Sequence, residues 1–125
     1  VQSIREVPIS GKRTYATMSA VAAGGQATLD SDQITSTKTG HLTGVIVSSS
    51  VPVKAEFRTV SNGIASANFA VGFGRFIQPR IPGPEYVSVA HDVTVGLDGF
   101  RAVVTNLDTG PNAADVYATF FFDEM

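Results

Sequence analysis

The last quarter of the chain, residues 99–125, restricts the fold more than any other stretch: GFRAVVTNLDTGPNAADVYATFFFDEM. Phe100, Ala102 and Val104 alternate with Arg101, Val103 and Thr105. Beyond a loop over residues 106–111, Ala114, Val116, Ala118, Phe120 and Phe122 alternate with Asp115, Tyr117, Thr119 and Phe121. Successive strand residues point to opposite faces, so this pattern is a hairpin with one apolar face. Such a face needs cover, and the rest of the chain is expected to supply it.

The same period of two recurs upstream. Residues 1–10 read as an opening arm with Ile4, Val7 and Ile9 apolar, and Pro8 confines it to an edge or a bulge. Tyr15, Thr17 and Ser19 alternate with Thr14, Ala16 and Met18. Gly24-Gly25 then turns the chain into a short strand over residues 26–29. Residues 30–40 are a polar surface loop with Ile34 tucked inwards. Leu42, Gly44 and Ile46 alternate with Thr43, Val45 and Val47, which reads as a central strand buried on both sides. Val53, Ala55, Phe57 and Thr59 oppose Lys54, Glu56, Arg58 and Val60, an outer strand with a charged solvent face.

Asn62-Gly63 supplies the pair of positive φ angles that a tight hairpin turn needs. The strand returns over residues 67–77, where Phe69, Val71 and Phe73 share a phase and Phe76 falls out of it. Gly72 and Gly74 inside that run point to a bulge near Gly74. The Pro-rich residues 78–84 form a stiff loop, and alternation resumes over residues 86–95. Short strands punctuated by turns, with no helix of three turns, predict an all-β fold. We expect one domain over residues 1–125, a single antiparallel β-sandwich of about eight strands, jelly-roll-like, with a short arm over residues 1–10. Both Cys and Trp, hallmarks of the immunoglobulin sandwich, are missing.

Composition narrows function mainly by exclusion. The formal net charge of -2 speaks against a nucleic-acid binder, which shows a basic face, and against charge-driven membrane binding. Without Cys there is no disulfide framework and no thiolate nucleophile or metal ligand. Residues 1–10 carry Arg5, Glu6 and Pro8 and lack the apolar core of a signal peptide, so export through a standard signal is not expected. His41 and His91 are the only histidines, too few for a His-rich metal or catalytic centre. Asp30-Ser31-Asp32 opens like a calcium loop, but Thr35 and His41 stand where the loop's Gly and Glu belong. Asp108, Asp115, Asp123 and Glu124 are read as acids facing water. No catalytic residue, metal ligand or cofactor site is expected, and the chain is read as a non-enzyme.

The apolar surplus says more. Charged residues make up only 16% of the chain, against a typical ~25%. In the run Phe120–Phe122 the middle ring must point away from its neighbours, so Phe121 and Tyr117 lie on the outer face. Aromatic and Arg side chains on a surface are enriched where proteins meet. The expected contact residues are Ile4, Val7, Phe76, Arg80, Ile81, Tyr117 and Phe121. An extended arm adds a strand to a neighbour's sheet readily. A carbohydrate- or receptor-binding module is the alternative, with a glycan meeting Tyr15, Tyr86 or Tyr117.

The sequence as a whole resembles small β-sandwich virion proteins of tailed phages and archaeal viruses. The likeness lies in "GGQATL", "GHLTGVIVSSSVPVKAEFRTV" and the close "FRAVVTNLDTGPNAADVYATFFFDE". The resemblance implies a capsid decoration, turret or tail-associated subunit. It further implies a homo-oligomer, a trimer or larger ring, docked on other virion proteins such as the major capsid protein. The expected place is the virion, assembled in the host cytoplasm, with neither nucleic acid nor membrane as partner.

Overall fold

The computed structural model describes residues 9–35, 37–81, 87–90 and 96–125. It is all-β, with β1 (Ile9–Val21), β2 (Gln26–Asp30), β3 (Thr39–Ser61), β4 (Ile64–Ala65), β5 (Ala70–Ile77), β6 (Ser88–Ala90), β7 (Gly99–Asn106) and β8 (Ala114–Glu124). All pairings are antiparallel. The two strands expected over residues 41–49 and 53–60 are one continuous strand of 23 residues, β3. Its first half pairs with β8 and β6, its second half with β7 and β5. The changeover falls around Pro52, which has no N–H to give to a ladder.

β3 therefore belongs to two layers. One reads β1-β8-β3-β6, the other β2-β7-β3-β5. The first and last strands are neighbours, and most successive strands cross from one layer to the other. That is jelly-roll connectivity, wrapped so that the sheet nearly closes on itself. On the side where β1 and β2 approach, Asp32 N donates to Thr14 Oγ1 at 2.9 Å.

The core lies between the layers. Phe57, Phe100, Phe120, Phe122, Leu42, Val45, Val47, Val53 and Val104 are among its buried side chains. Each such burial is worth about 1.5–3 kcal/mol. Phe100 on β7 meets Phe122 on β8 across the layers, ring centroids 5.6 Å apart. Ile34 is fully buried, so the polar loop is anchored by its one apolar residue, as expected. Two buried polar groups pin the ends. Asn62 N donates to Asp98 Oδ1 at 2.6 Å, and Ile34 N donates to Asp98 O at 3.0 Å. Glu124 holds Thr35 in the same way, accepting from its N–H and its hydroxyl.

Two expectations on phase need correction. Leu42, Val45 and Val47 are all buried, so β3 is not apolar on both faces; Thr43 is exposed. A register shift between Leu42 and Gly44 inserts Thr43 as an extra residue and swaps the phase. The returning strand begins at Ala70 rather than residue 67, with Ala70 and Gly72 opposite the inward Phe57 and Ala55. Val71 and Phe73 consequently face solvent. Phe76 does fall out of step with Phe73, and Gly74 between them has φ +127°. At the turn, Asn62 and Gly63 have φ of 54° and 79°, the positive pair the hairpin demands. Of the strand expected over residues 86–95, Ser88–Ala90 is seen and residues 86 and 91–95 lie outside the described residues.

Gly74 offers a clean test of backbone strain. A Cβ there would meet no heavy atom within 4 Å, so only the positive φ opposes a side chain. Gly74→Ala is expected to cost about 1–3 kcal/mol. Gly44→Ala, whose Cβ would sit 3.7 Å from Phe121 Cδ2 at an ordinary φ, should stay within about 0.5 kcal/mol. Urea unfolding of the two variants checks the contrast; equal midpoints would remove the strain assigned to Gly74.

Candidate functional site

Strand register places the outward side chains of the β1-β8-β3 layer in rows, because directly opposed residues share a face. One row is Arg13, Phe121 and Gly44. The next is Tyr15, Thr119 and Ile46. The third is Thr17, Tyr117, Ser48 and Phe76, the last supplied by the end of β5 where it pairs with β3. Tyr15, Tyr117 and Phe76 are 67%, 54% and 64% exposed. Phe121 and Ile46 between them are half-buried. Three strands thus present a broad aromatic face, and Phe76 extends it across a fourth.

Arg13 is the only charged side chain within those rows. Its guanidinium lies 5.9 Å from the centroid of the Phe121 ring. Its Nη1 also donates to Tyr15 Oη at 3.0 Å. Among the described residues its partners are these aromatic rings. Thr43 Oγ1 donates to Phe121 O at 3.1 Å, which fixes the bulge beside that ring. At one end of the face Asp115 Oδ1 accepts from Ala20 N at 3.0 Å, and Asp115 N donates to Ser50 Oγ at 2.9 Å. At the other end His41 stands in register between Asp123 and Ser88.

The opposite outer face, on the β2-β7-β3 layer, has a different chemistry. Its rows hold Asp30, Arg101 and Arg58, then Thr28, Val103 and Glu56, then Gln26, Thr105 and Lys54. Arg101 grips Asp30 with Nε and Nη2 at 2.6 and 3.1 Å. That hydrogen bond pushes the guanidinium above its ordinary range, against the opposing effect of burial. Glu56 lies 3.9 Å from both Lys54 and Arg58 and accepts from Asn68 at 2.8 Å. This face satisfies its own charges within one chain.

The expected contact residues separate accordingly. Phe76, Tyr117 and Phe121 are brought together on the aromatic face. Arg80 is exposed, and Ile81 is half-buried against the core. Ile4 and Val7 lie outside the described residues. Sequence reasoning named Tyr15 only as a glycan contact and missed Ile46 and Thr119. It also missed the row His41–Asp123–Ser88, whose members are far apart in sequence. The acids near the last strand are dispersed: Asp108 holds its own loop, Asp115 caps Ala20, and Glu124 is buried. Asp30, one of the two carboxylates of the calcium-like run, is engaged by Arg101. Among the described residues no group of three or more His, Asp or Glu could hold a metal ion. Comparison with protein-family models, curated proteins and solved structures gave no match.

Proposed function

We propose that the chain is a non-enzymatic structural subunit that acts through protein–protein assembly, its contact being the aromatic face of the β1-β8-β3 layer. The contrast between the two outer faces carries this reading. One layer neutralises its charges internally, whereas the other offers Tyr15, Tyr117, Phe76 and Phe121 with a single Arg among them. Aromatic residues and Arg are the side chains enriched at contact centres. The sequence resemblance and the jelly-roll fold together favour a virion component, a capsid decoration, turret or tail-associated subunit. Its partners would be further copies of itself in a trimer or larger ring, and virion proteins such as the major capsid protein. Its place would be the virion, built in the host cytoplasm.

Tyr117→Lys is the direct test. Tyr117 is more than half exposed, so folding stability should change by no more than about 0.5 kcal/mol. Association should weaken about thirtyfold, the effect of removing a ~2 kcal/mol contact. Light scattering across a dilution series reads both wild type and variant. An assembly of unchanged mass and midpoint in the variant would remove the aromatic face from the contact.

A glycan-binding reading is favoured by one observation. Thr17, Thr119 and Ser48 place hydroxyls between the exposed rings, a mixture that suits a polyol with apolar C–H faces. A glycan screen in which Tyr15→Ala abolishes a positive signal would support it, and a screen without binders would remove it.

A further inference from the structure

Four strands form the lateral edges of the two layers: β1 and β6 in one, β2 and β5 in the other. Edges are sites of unwanted or useful strand pairing, and proteins manage them by shortening or covering. β6 and β2 are short, three and five residues. β1 is tied to the chain after β2 through the Asp32 N to Thr14 Oγ1 hydrogen bond. β5 stands apart. It runs eight residues, AVGFGRFI, and among the described residues its backbone pairs only with β3. Its outward side chains Val71, Phe73 and Phe76 are 46%, 65% and 64% exposed. No Lys or Pro interrupts it.

We propose that β5 pairs antiparallel with β5 of a second copy about a two-fold axis through Phe73. A row of outward N–H and C=O groups is satisfied best by another extended backbone. Among the described residues the strand left open in every copy is β5 itself. The pairing is self-complementary, as a two-fold contact requires. With Phe73 opposite Phe73, Gly72 meets Gly74 and Val71 meets Arg75. Outward residues then meet outward ones and inward residues meet inward ones, so the sheet continues without a phase error. The positive φ of Gly74 distorts the ladder beside the axis, so the pairing is confined to a few residues around Phe73.

Area sets the strength. With about two-thirds of the residue free, Phe73 offers on the order of 100–160 Å². Together with Val71 this is below the ~800 Å² per partner of a stable interface. β5 pairing therefore gives a reversible, concentration-dependent dimer. It uses an edge distinct from the aromatic face and stands independently of that contact.

The chain has no Cys, so Phe73→Cys introduces a single thiol per copy. On the axis the two Cβ atoms would lie about 4.5–5.5 Å apart, close to disulfide range. Oxidation with diamide is expected to yield a disulfide dimer at least tenfold faster than for Ile64→Cys, a comparably exposed position outside both contacts. Equal rates would overturn the pairing. Phe73→Lys should raise the dimer dissociation constant at least tenfold with an unchanged circular dichroism spectrum. If dimers survive Phe73→Lys and vanish in Tyr117→Lys, the β5 pairing is wrong and the aromatic contact stands. The reverse pattern sustains the pairing and removes the aromatic contact. A wild-type chain that stays monomeric at millimolar concentration also overturns the pairing.

Discussion

Replacing Asn106 by Leu is expected to destabilise the protein by about 4 kcal/mol and to lower its melting midpoint by roughly 10–20 °C. Asn106 ends β7 and is 2% exposed. Its Nδ2 donates to Val21 O at 2.9 Å and to Asn112 O at 3.1 Å. Its Oδ1 accepts from Asp108 N at 2.8 Å. One amide thus joins the end of β1 to both sides of the loop that leads into β8. The backbone adds to the junction, with Gly24 N donating to Asn106 O and Asn106 N to Gly25 O. Leu has similar volume but no polar atom, so two carbonyls and one N–H lose their partner in a buried place. Each unmade bond costs about 1–3 kcal/mol, and partial hydration of the loop recovers some of it. Asn106→Asp should also destabilise, because a second oxygen would face the carbonyls of Val21 and Asn112. Calorimetry of the two variants decides. A drop below about 4 °C for Asn106→Leu would mean that the loop holds itself, through Asp108 Oδ2 accepting from Gly110 N and Asn112 N.

Why the fold was legible in the sequence follows from the same region. β7 and β8 each lie between two antiparallel partners and bury one face only, so every second residue is core and the period of two is unbroken. Phe120 and Phe122 inside, Phe121 and Tyr117 outside, could be read without coordinates. The turn at Asn62-Gly63 was equally legible, since few residue pairs tolerate two positive φ angles. β3 was not. Its bulge at Thr43 breaks the phase, and the adjacent Gly44 read as an ordinary member of the alternation. The merging of its halves was hidden by Pro52, which marks a strand break in most contexts but here sits where β3 changes layers. Strand order was beyond reach, because alternation fixes the face of a residue and not its neighbour.

The candidate site was legible in proportion to how local its signal was. Phe121 and Tyr117 sit in one strand whose phase is certain. Phe76 is brought beside Tyr117 only because β5 crosses to the end of β3, with Ser48 between them. Tyr15 belongs to the same face through a different pairing, β1 with β8. A patch assembled from four strands is a property of topology. The same holds for β5, which read as a returning strand with a bulge near Gly74 and gave no sign that Val71 and Phe73 face solvent. Ala55 and Phe57 already fill the core side opposite it, which leaves Val71 and Phe73 outside.

Glu124→Ala is expected to cost about 3 kcal/mol at neutral pH, and less in acid. Glu124 is 3% exposed at the end of β8. Its Oε2 accepts from Thr35 N at 2.7 Å, its Oε1 from Thr35 Oγ1 at 2.7 Å, and Lys12 Nζ lies 3.6 Å from Oε1. The contact fixes the polar loop that carries Ile34 into the core, while Thr39 and Met125 exchange backbone hydrogen bonds alongside. Burial by itself would push this carboxyl up. The Thr35 N–H and hydroxyl and the Lys12 ammonium outweigh it, so the carboxyl sits below its ordinary value of 4.5. A group whose pKa is depressed by folding binds fewer protons in the folded state than in the unfolded one. Its contribution is complete above about pH 4.5 and fades as pH falls through the folded value. The wild-type chain therefore loses this stabilisation in acid, and the alanine variant has none to lose. Urea midpoints for both proteins at about pH 7 and about pH 3 measure the difference. A gap that closes substantially at the lower pH assigns it to the ionised carboxylate. A gap of the same size at both would mean that Glu124 acts there by filling space, and that Thr35 finds its partner elsewhere.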